Sequence, residues 1–446
     1  MEDTIAAIST PIGEGGIGII RISGGEALPI LKHIFKSEAK DIEPSRVYHG
    51  WVLNGGGFAD EAIAFYLKGP KSYTGEDVVE ICCHSGIAIL NKILTACIKE
   101  GARLAERGEF TKRAFLNGRI DLVQAEAVID LVKARTAEAA SIAVNQLKGS
   151  LSQTIRKIKE RTLTILAGLE AMIDFPDDIQ EKPLPYLKEE VSEIKKEISA
   201  LILTADRGRI FREGVSTAIV GRPNVGKSSL LNALLREERA IVAPIPGTTR
   251  DTIEERVNVR GIPLIIIDTA GLRPPKDSIE ELGVKRAKNA LSSAELVLAV
   301  FDGSEDLTPE DFDVLKEVEG KRTVYVINKK DKKLRFDTVK REPEVKVSAL
   351  TFSGIEELEE AVSSFILKGE KPPYDSPVVS NMRHKECLVR AKEAIQRVLF
   401  SAENRMPIDF LTIDLKDAVC SLSQITGEAV TEEIINKIFE SFCVGK

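Results

Sequence analysis

The sequence predicts a multidomain protein of α+β and α/β class: an amino-terminal α+β domain, a discontinuous helical domain, and an α/β domain inserted into the helical one. Three observations carry this. The 446 residues correspond to about three domains at ~150 residues each. The texture of the chain changes near Asp121, Gly214 and Lys371. The helical texture that stops before Gly214 resumes after Lys371, as when one domain is inserted into a loop of another. Two separate helical domains are the alternative. The boundaries expected are 1–118, 119–213, 214–370 and 371–446.

Residues 1–118 mix short β-like runs with turns. Ile17-Gly18-Ile19-Ile20-Arg21-Ile22 reads as a strand ended by Ser23-Gly24-Gly25, and Val78-Val79-Glu80-Ile81-Cys82-Cys83 as another. Asn54-Gly55-Gly56-Gly57 is a turn, and residues 87–99 have helical spacing. Apolar residues then recur at helical intervals: Leu122, Ala125, Val128, Ile129 and Val132, followed by Ile142, Leu147, Leu151, Ile155, Ile158, Leu163 and Leu166. Phe175-Pro176-Asp177-Asp178 breaks the pattern and residues 190–202 resume it. From Gly214, strand-like runs at 217–220, 264–267, 296–301, 323–327 and 345–347 alternate with helical stretches. That alternation predicts a parallel sheet flanked by helices. After Lys371-Pro372-Pro373, helical spacing returns through Leu388, Ala391, Ile395, Val398 and Leu399, then Leu411, Leu415, Val419 and Leu422.

A hydrophobic fraction of 43% supports a buried core in each domain and excludes wholesale disorder. No apolar run reaches the ~18 residues of a membrane helix, and Met1-Glu2-Asp3-Thr4 does not open like a signal peptide. A soluble, cytoplasmic protein with no membrane partner is expected. The net charge is -7, so contact with nucleic acid requires a local basic patch. Arg207, Arg209 and Arg212, or Arg156, Lys157, Lys159 and Arg161, are candidates; the plainer reading is a solvated helix face. Cys82, Cys83, Cys97, Cys387, Cys420 and Cys443 contain no CxxC pair, so reduced thiols and no structural metal site are expected.

Gly221-Arg222-Pro223-Asn224-Val225-Gly226-Lys227-Ser228 is G-x-x-x-x-G-K-S between a strand and a helix that begins near Ser229. Its glycines let backbone N–H groups turn toward phosphates, Lys227 reaches the β/γ oxygens, and the Ser228 hydroxyl coordinates Mg²⁺. Asp268-Thr269-Ala270-Gly271 ends the next apolar strand, with Asp268 expected near the metal and the Gly271 amide near the γ-phosphate. Asn328-Lys329-Lys330-Asp331 ends another. The Asp331 carboxylate can accept two hydrogen bonds, from guanine's N1–H and its exocyclic 2-amine, whereas adenine offers an acceptor at N1 and lacks that 2-amine. Ser348-Ala349-Leu350 offers backbone N–H groups to guanine O6. These motifs in register resemble a Ras-like P-loop GTPase; helix N-caps at Asp268 and Asp331 would not explain the set.

Between the first two motifs runs Ala243-Pro244-Ile245-Pro246-Gly247-Thr248-Thr249-Arg250-Asp251, in which Thr249 is expected to close over Mg²⁺. Leu272 follows Gly271, where Ras-like enzymes often carry a Gln that orients water. Glu280 and Arg273 are candidates for that work. A monovalent cation beside the Asn224 carbonyl could also stabilise developing charge.

The motif order, residues 247–251 and 268–273, and the terminal Phe442-Cys443-Val444-Gly445-Lys446 resemble the MnmE (TrmE) family of tRNA-modification GTPases. The resemblance covers the chain, through Thr10-Pro11, Gly15-Gly16-Ile17-Gly18, Arg21-Ile22-Ser23-Gly24, Tyr73-Thr74-Gly75-Glu76-Asp77-Val78, Arg107-Gly108-Glu109-Phe110-Thr111, Arg113-Ala114-Phe115-Leu116-Asn117 and Ile173-Asp174-Phe175-Pro176. It implies action with the FAD protein MnmG, in a heterotetramer or larger, adding a carboxymethylaminomethyl or aminomethyl group at carbon 5 of the tRNA wobble uridine. It implies a homodimer whose amino-terminal domain binds a tetrahydrofolate derivative, in the 5-formyl or methylene form. It further implies G domains that pair in K⁺ to hydrolyse GTP to GDP.

Position by position, the resemblance makes Asn224, the carbonyls of Ala243 and Ile245, and Thr248 the K⁺ ligands. Ser228 and Thr249 would hold Mg²⁺, and Glu280 would position water. Arg21, Glu80, Arg119 and Lys446 would hold the folate, with Arg119 standing where some relatives carry Lys. A carboxylate can accept the paired N–H donors of a pterin, and Arg and Lys can meet glutamyl carboxylates. Cys443 reads either as a nucleophile or proton donor near the folate or as a small apolar residue of the terminus. Competing functions are a GTP-switched ribosome or membrane assembly factor and a folate-binding regulator with a vestigial G domain. No G-x-G-x-x-G fingerprint links a strand to a helix, so the redox cofactor is expected on a partner.

Overall fold

A computed structural model describes residues 3–175, 184–236, 255–267, 291–369 and 377–446. The amino-terminal part builds β1 (Ile5–Ile8), β2 (Gly18–Ser23), β3 (Phe35–Ser37), β4 (Val47–Asn54), β5 (Gly57–Leu67), β6 (Val78–Cys83) and β7 (Arg103–Leu104). They form one sheet in the order β3-β4-β5-β6-β2-β1-β7, antiparallel except where β1 meets β7. Alternate residues share a face. Ile20, Ile22, Ala64, Tyr66, Val79 and Ile81 therefore point together into a core with helices Ala27–Ile34 and Ile87–Lys99. The β4–β5 hairpin turns at Gly55 and Gly56, both at positive φ, as such turns require.

Helices Leu122–Lys133, Ala137–Leu147, Ser150–Asp174 and Leu184–Glu213 follow. The spacing that runs through Ile142 and Leu166 is not one helix: Gly149, at φ +89°, stands between two. Beyond the α/β part come helices Met382–Glu403, Ile408–Thr426 and Glu432–Glu440. Ile155, Ile158, Ile194 and Ile198 share one core with Leu388, Ile395, Leu415 and Leu422. The helical domain is therefore a single discontinuous body.

The α/β part contains β8 (Val215–Val220), β9 (Glu255–Val259), β10 (Ile262–Ile266), β11 (Leu296–Asp302), β12 (Thr323–Asn328) and β13 (Glu344–Lys346). Their order is β13-β12-β11-β8-β10-β9. The five runs expected from sequence pair in parallel, and β9, antiparallel to β10, adds a strand at the edge. Glu255-Arg256-Val257-Asn258-Val259 escaped notice because only Val257 and Val259 face the core. Helices Lys227–Arg236, Pro309–Glu317 and Ile355–Leu367 accompany this sheet. Ile142 and Phe211 of the helical part also belong to its core. Among the described residues no helix is long and apolar enough to cross a membrane.

The two halves of the helical body are joined by buried charge. Glu126 accepts from Asn381 Nδ2 at 3.0 Å and Arg383 Nη2 at 2.8 Å, and hydrogen-bonds with His384 Nε2 at 2.6 Å. Burial pushes the Glu126 carboxyl up, but His384 and Arg383 outweigh it and hold the group at about 2, below its ordinary 4.5. A depressed pKa stabilises the fold above the unfolded value and loses that effect as pH falls toward the folded one. Glu126→Ala should cost about 3–5 kcal/mol at neutral pH, since it strands Arg383 and His384 without their buried partner. In urea unfolding, the gap between wild type and variant should shrink as pH falls from 4.5 toward 2. A gap independent of pH would show that the carboxylate charge does not join the halves.

Candidate functional site

Strand β8 ends at Val220, and the helix that follows begins at Lys227, leaving a loop whose shape depends on two glycines. A Cβ on Gly221 would lie 2.4 Å from the Val300 oxygen, and one on Gly226 would lie 2.3 Å from Asn328 Nδ2. Asn328 closes the loop. Its Nδ2 donates to the Val225 carbonyl at 2.8 Å, and its Oδ1 accepts from the Ala349 amide at 3.1 Å. One side chain thus ties together three of the motifs found in the sequence.

Lys329 Nζ donates to the Asn224 carbonyl at 3.0 Å, so the guanine-type motif braces the phosphate-type loop. Lys227 Nζ donates to the carbonyls of Gly221 and Arg222 at 2.7 and 2.9 Å, and burial lowers its pKa. An ammonium held on weak neutral acceptors is well suited to transfer to phosphate oxygens. Ser228 and Ser229 are exposed at the start of the helix, and Asn224 is exposed in a left-handed turn.

Asp331 is exposed, and its Oδ1 accepts from Ser348 Oγ at 2.5 Å, which aims the carboxylate. The expected use of backbone amides at 348–350 is narrowed by the structure. The Ser348 amide donates to Ser353 O at 2.8 Å and the Ala349 amide to Asn328. Leu350 is 78% exposed. Ala243, Pro244, Ile245, Pro246, Gly247, Thr248, Thr249, Asp268, Thr269, Ala270, Gly271, Leu272, Arg273 and Glu280 lie outside the described residues. Among the described residues no cluster of three His, Cys, Asp or Glu could hold a metal. The Ser228 hydroxyl and the Asn224 side-chain carbonyl are hard oxygen donors of the type that suits Mg²⁺ and K⁺.

A second convergence lies on the amino-terminal sheet. Arg21 on β2 and Glu80 on β6 are register partners, with Nε to Oε1 at 2.7 Å. Arg21 Nη1 also donates to the Gly445 carbonyl at 3.3 Å, which accepts from Ser9 Oγ at 3.2 Å. Gly445 is at φ +91°, and a Cβ there would lie 2.4 Å from the Ile8 oxygen. Val444 bridges to Arg107, and the Cys443 carbonyl accepts from the Gly108 amide at 3.3 Å. Phe439 and Phe442 anchor the terminus against Leu122, Ala125 and Phe115. Cys443 itself is exposed, and Lys446 is half-buried.

Tyr73 and Phe110 belong to this site, though sequence reasoning did not single them out. The guanidiniums of Arg21 and Arg119 each lie 5.2 Å from the Tyr73 ring centroid, and Arg21 lies 5.6 Å from that of Phe110. The signal was the motif around Tyr73, whose backbone is held by Asn117 Nδ2 on the Thr74 carbonyl at 2.8 Å. Arg113 Nη1 reaches Glu76 Oε2 at 3.1 Å.

The candidate basic patch is largely consumed by packing. Arg156 pairs with Asp121 at 2.6 Å, Lys159 with Glu428, Arg161 with Glu197, Arg209 with Glu295 at 3.1 Å, and Arg212 with Asp130 at 2.8 Å. Lys157 remains exposed.

The loop geometry makes a prediction. Gly226→Ala forces a side chain onto Asn328 at a backbone φ of +98°, so the phosphate-type loop must shift. GTP affinity should fall by about tenfold or more, on the order of 1.4 kcal/mol, in a variant whose circular dichroism is unchanged. Affinity equal to wild type would show that loop closure by Asn328 is dispensable.

Known proteins resemble this chain over its full length. The family model for the MnmE helical domain matches residues 122–443, and that for the GTP-binding protein TrmE N-terminus matches residues 4–119. The tRNA modification GTPases MnmE of Alkaliphilus metalliredigens (strain QYMF) and Clostridioides difficile (strain 630) are each 48% identical to this chain, with 100% of both chains covered. That of Bacillus subtilis (strain 168) is 46% identical with the same coverage. Among solved structures, Era in complex with MgGDPNP and a 16S ribosomal RNA fragment matches 40% of this chain and 66% of its own, at 30% identity and a TM-score of 0.26. The chain belongs to the MnmE family of tRNA modification GTPases and is a GTPase acting in tRNA modification.

Proposed function

We propose that this GTPase acts with an FAD-binding MnmG-type partner to add a carboxymethylaminomethyl or aminomethyl group at carbon 5 of the tRNA wobble uridine. A tetrahydrofolate derivative bound by the amino-terminal domain supplies the carbon unit. K⁺-dependent pairing of two G domains switches on hydrolysis. The observation that carries this reading is the Arg21–Glu80 pair with the chain terminus laid over it. Arg21 and Arg119 both approach the Tyr73 ring, and the terminus that carries Lys446 reaches Arg21 through the Gly445 carbonyl.

The donor set fits a folate. Glu80 would accept from the pterin edge, Arg119 and Lys446 would meet carboxylates, and Tyr73 offers an aromatic ring near two guanidiniums. The sheet face beside it supports a homodimer. Val47 pairs with Phe65, Phe65 with Glu80, and Glu80 with Arg21, so these side chains share one face. Val47 is 69% exposed, and Ile63 and Trp51 are exposed in adjoining rows. An uncovered apolar face of this kind suits a self-complementary partner.

At the nucleotide site, Lys227 would leave the Gly221 and Arg222 carbonyls for phosphate oxygens, and Asp331 would read guanine. Ser228 and Thr249 would hold Mg²⁺. Asn224, Ala243, Ile245 and Thr248 would hold K⁺. The two cations would neutralise charge that develops on the phosphates. Glu280 would orient the attacking water, work that Leu272 cannot do, with Arg273 as the alternative stabilising charge.

Arg21→Ala and Glu80→Ala should abolish folate binding and tRNA modification while leaving GTP turnover near wild type. Isothermal titration with 5-formyltetrahydrofolate checks the first part; wild-type affinity in both variants would remove the pocket. Turnover equal in KCl and NaCl would remove the cation mechanism.

A further inference from the structure

We infer that the acidic segment from Asp302 to Asp311 is a clamp that positions both nucleotide loops, through the Asp302–Lys329 and Asp311–Arg222 pairs. Asp302 and Asp311 are positioning residues, since each acts through another side chain, Lys329 or Arg222. The inference rests on the reading of Asn224 as a cation ligand and adds to it the groups that hold Asn224 in place.

Topology puts the clamp where it can act. β11 lies between β8, which leads into the phosphate-type loop, and β12, which leads into the guanine-type motif. The last residue of β11 is Asp302, only 4% exposed. Its Oδ2 accepts from Lys329 Nζ at 2.5 Å, and its Oδ1 accepts from the amide and hydroxyl of Ser304. Lys329 then reaches the Asn224 carbonyl. Burial pushes the Asp302 carboxyl up, but Lys329 and Ser304 outweigh it and hold the group below its ordinary value.

The other end of the loop is gripped in the same way. Arg222 donates from Nη2 to Glu305 at 2.6 Å and from Nε to Asp311 Oδ2 at 3.2 Å. Asp311, 2% exposed, is itself locked by the Thr308 amide and hydroxyl at 3.0 and 2.9 Å, while its Oδ1 is buried without a partner. Lys227 bonds the carbonyls of residues 221 and 222. The turn at Asn224 is therefore pinned on both sides.

Both loops turn through left-handed backbone. Asn224 has φ +64° and Lys329 φ +65°, a region that L side chains rarely adopt. Such conformations persist only where surrounding contacts over-determine them. Without the Asp302–Lys329 pair, Lys329 would release the Asn224 main-chain carbonyl, the turn would relax, and the Asn224 side-chain oxygen would leave a position that a desolvated cation needs. The clamp therefore sets how tightly the phosphate-type loop holds both cation and nucleotide.

The test uses the full-length protein with Asp302→Asn and Arg222→Gln. Three quantities are read: the K⁺ concentration at half-maximal GTP turnover, the release rate of a fluorescent GDP analogue, and the melting temperature. Asp302→Asn should raise the half-maximal K⁺ and the GDP release rate by about fivefold or more, within the usual range of coupling between sites. Arg222→Gln should shift both in the same direction. A residue that only braces the fold would lower the melting temperature and leave the half-maximal K⁺ unmoved, which would overturn the inference. If Asp302→Asn does not fold, Arg222→Gln decides, and wild-type values in it would overturn the clamp. Should wild type turn over equally in KCl and NaCl, the cation reading fails by itself. GDP release then judges the clamp alone, and an unchanged rate in Asp302→Asn overturns it.

Discussion

The arrangement of this protein depends on one constraint: the helical core forms only when two distant stretches of chain meet. Residues between Val123 and Ala205 bury their apolar faces against residues between Val379 and Ile425. The Glu126 carboxylate fixes the register of that meeting on Asn381, Arg383 and His384. The chain entering the α/β domain must then run beside the chain leaving it. Gly208 shows how closely they approach, since a Cβ there would lie 2.0 Å from the Val379 oxygen. Gln146 donates to the Val378 carbonyl at 2.7 Å and to Ser380 at 3.0 Å from the other side.

From that junction the same body reaches both sites. Toward the nucleotide loops, Arg212 pairs with Asp130 two residues before Gly214, and Ile142 packs into the α/β core. Toward the amino-terminal pocket, Phe439 and Phe442 pack beside Leu122, and the last residues continue to Arg21. Beside this apolar packing stand partly buried charged pairs, Glu126 with Arg383 and Arg212 with Asp130. Each such pair is costly to break on one side only, so these contacts behave as latches with defined geometry.

How much of this was legible in the sequence follows from the range over which each feature is encoded. β6 and helix Ile87–Lys99 lie where local periodicity put them, because a strand or helix carries its own pattern. The phosphate-type loop was legible for the same reason: strand, glycines, Lys227 and helix are contiguous. β9 was not, since an edge strand with one buried face needs few apolar residues. Gly149 breaks a run that looked continuous, because periodicity survives a tight turn that keeps the apolar face in phase. Tyr73 and the Gly445 carbonyl were invisible as a unit: Arg21 and Gly445 are separated by 424 positions, and no local pattern links them. The ion pairs of the arginines at 156, 161, 209 and 212 were not legible because their carboxylate partners lie elsewhere in the chain.

The central claim is that the two sites serve one reaction on tRNA. Mass spectrometry of wobble uridines in total tRNA, from a strain lacking this protein and from the same strain carrying it back, tests that claim most directly. The account predicts that the carbon-5 side group disappears in the deletion, returns with the wild-type chain, and fails to return with Lys227→Ala or Arg21→Ala alike. Wobble uridines unchanged by the deletion would contradict it.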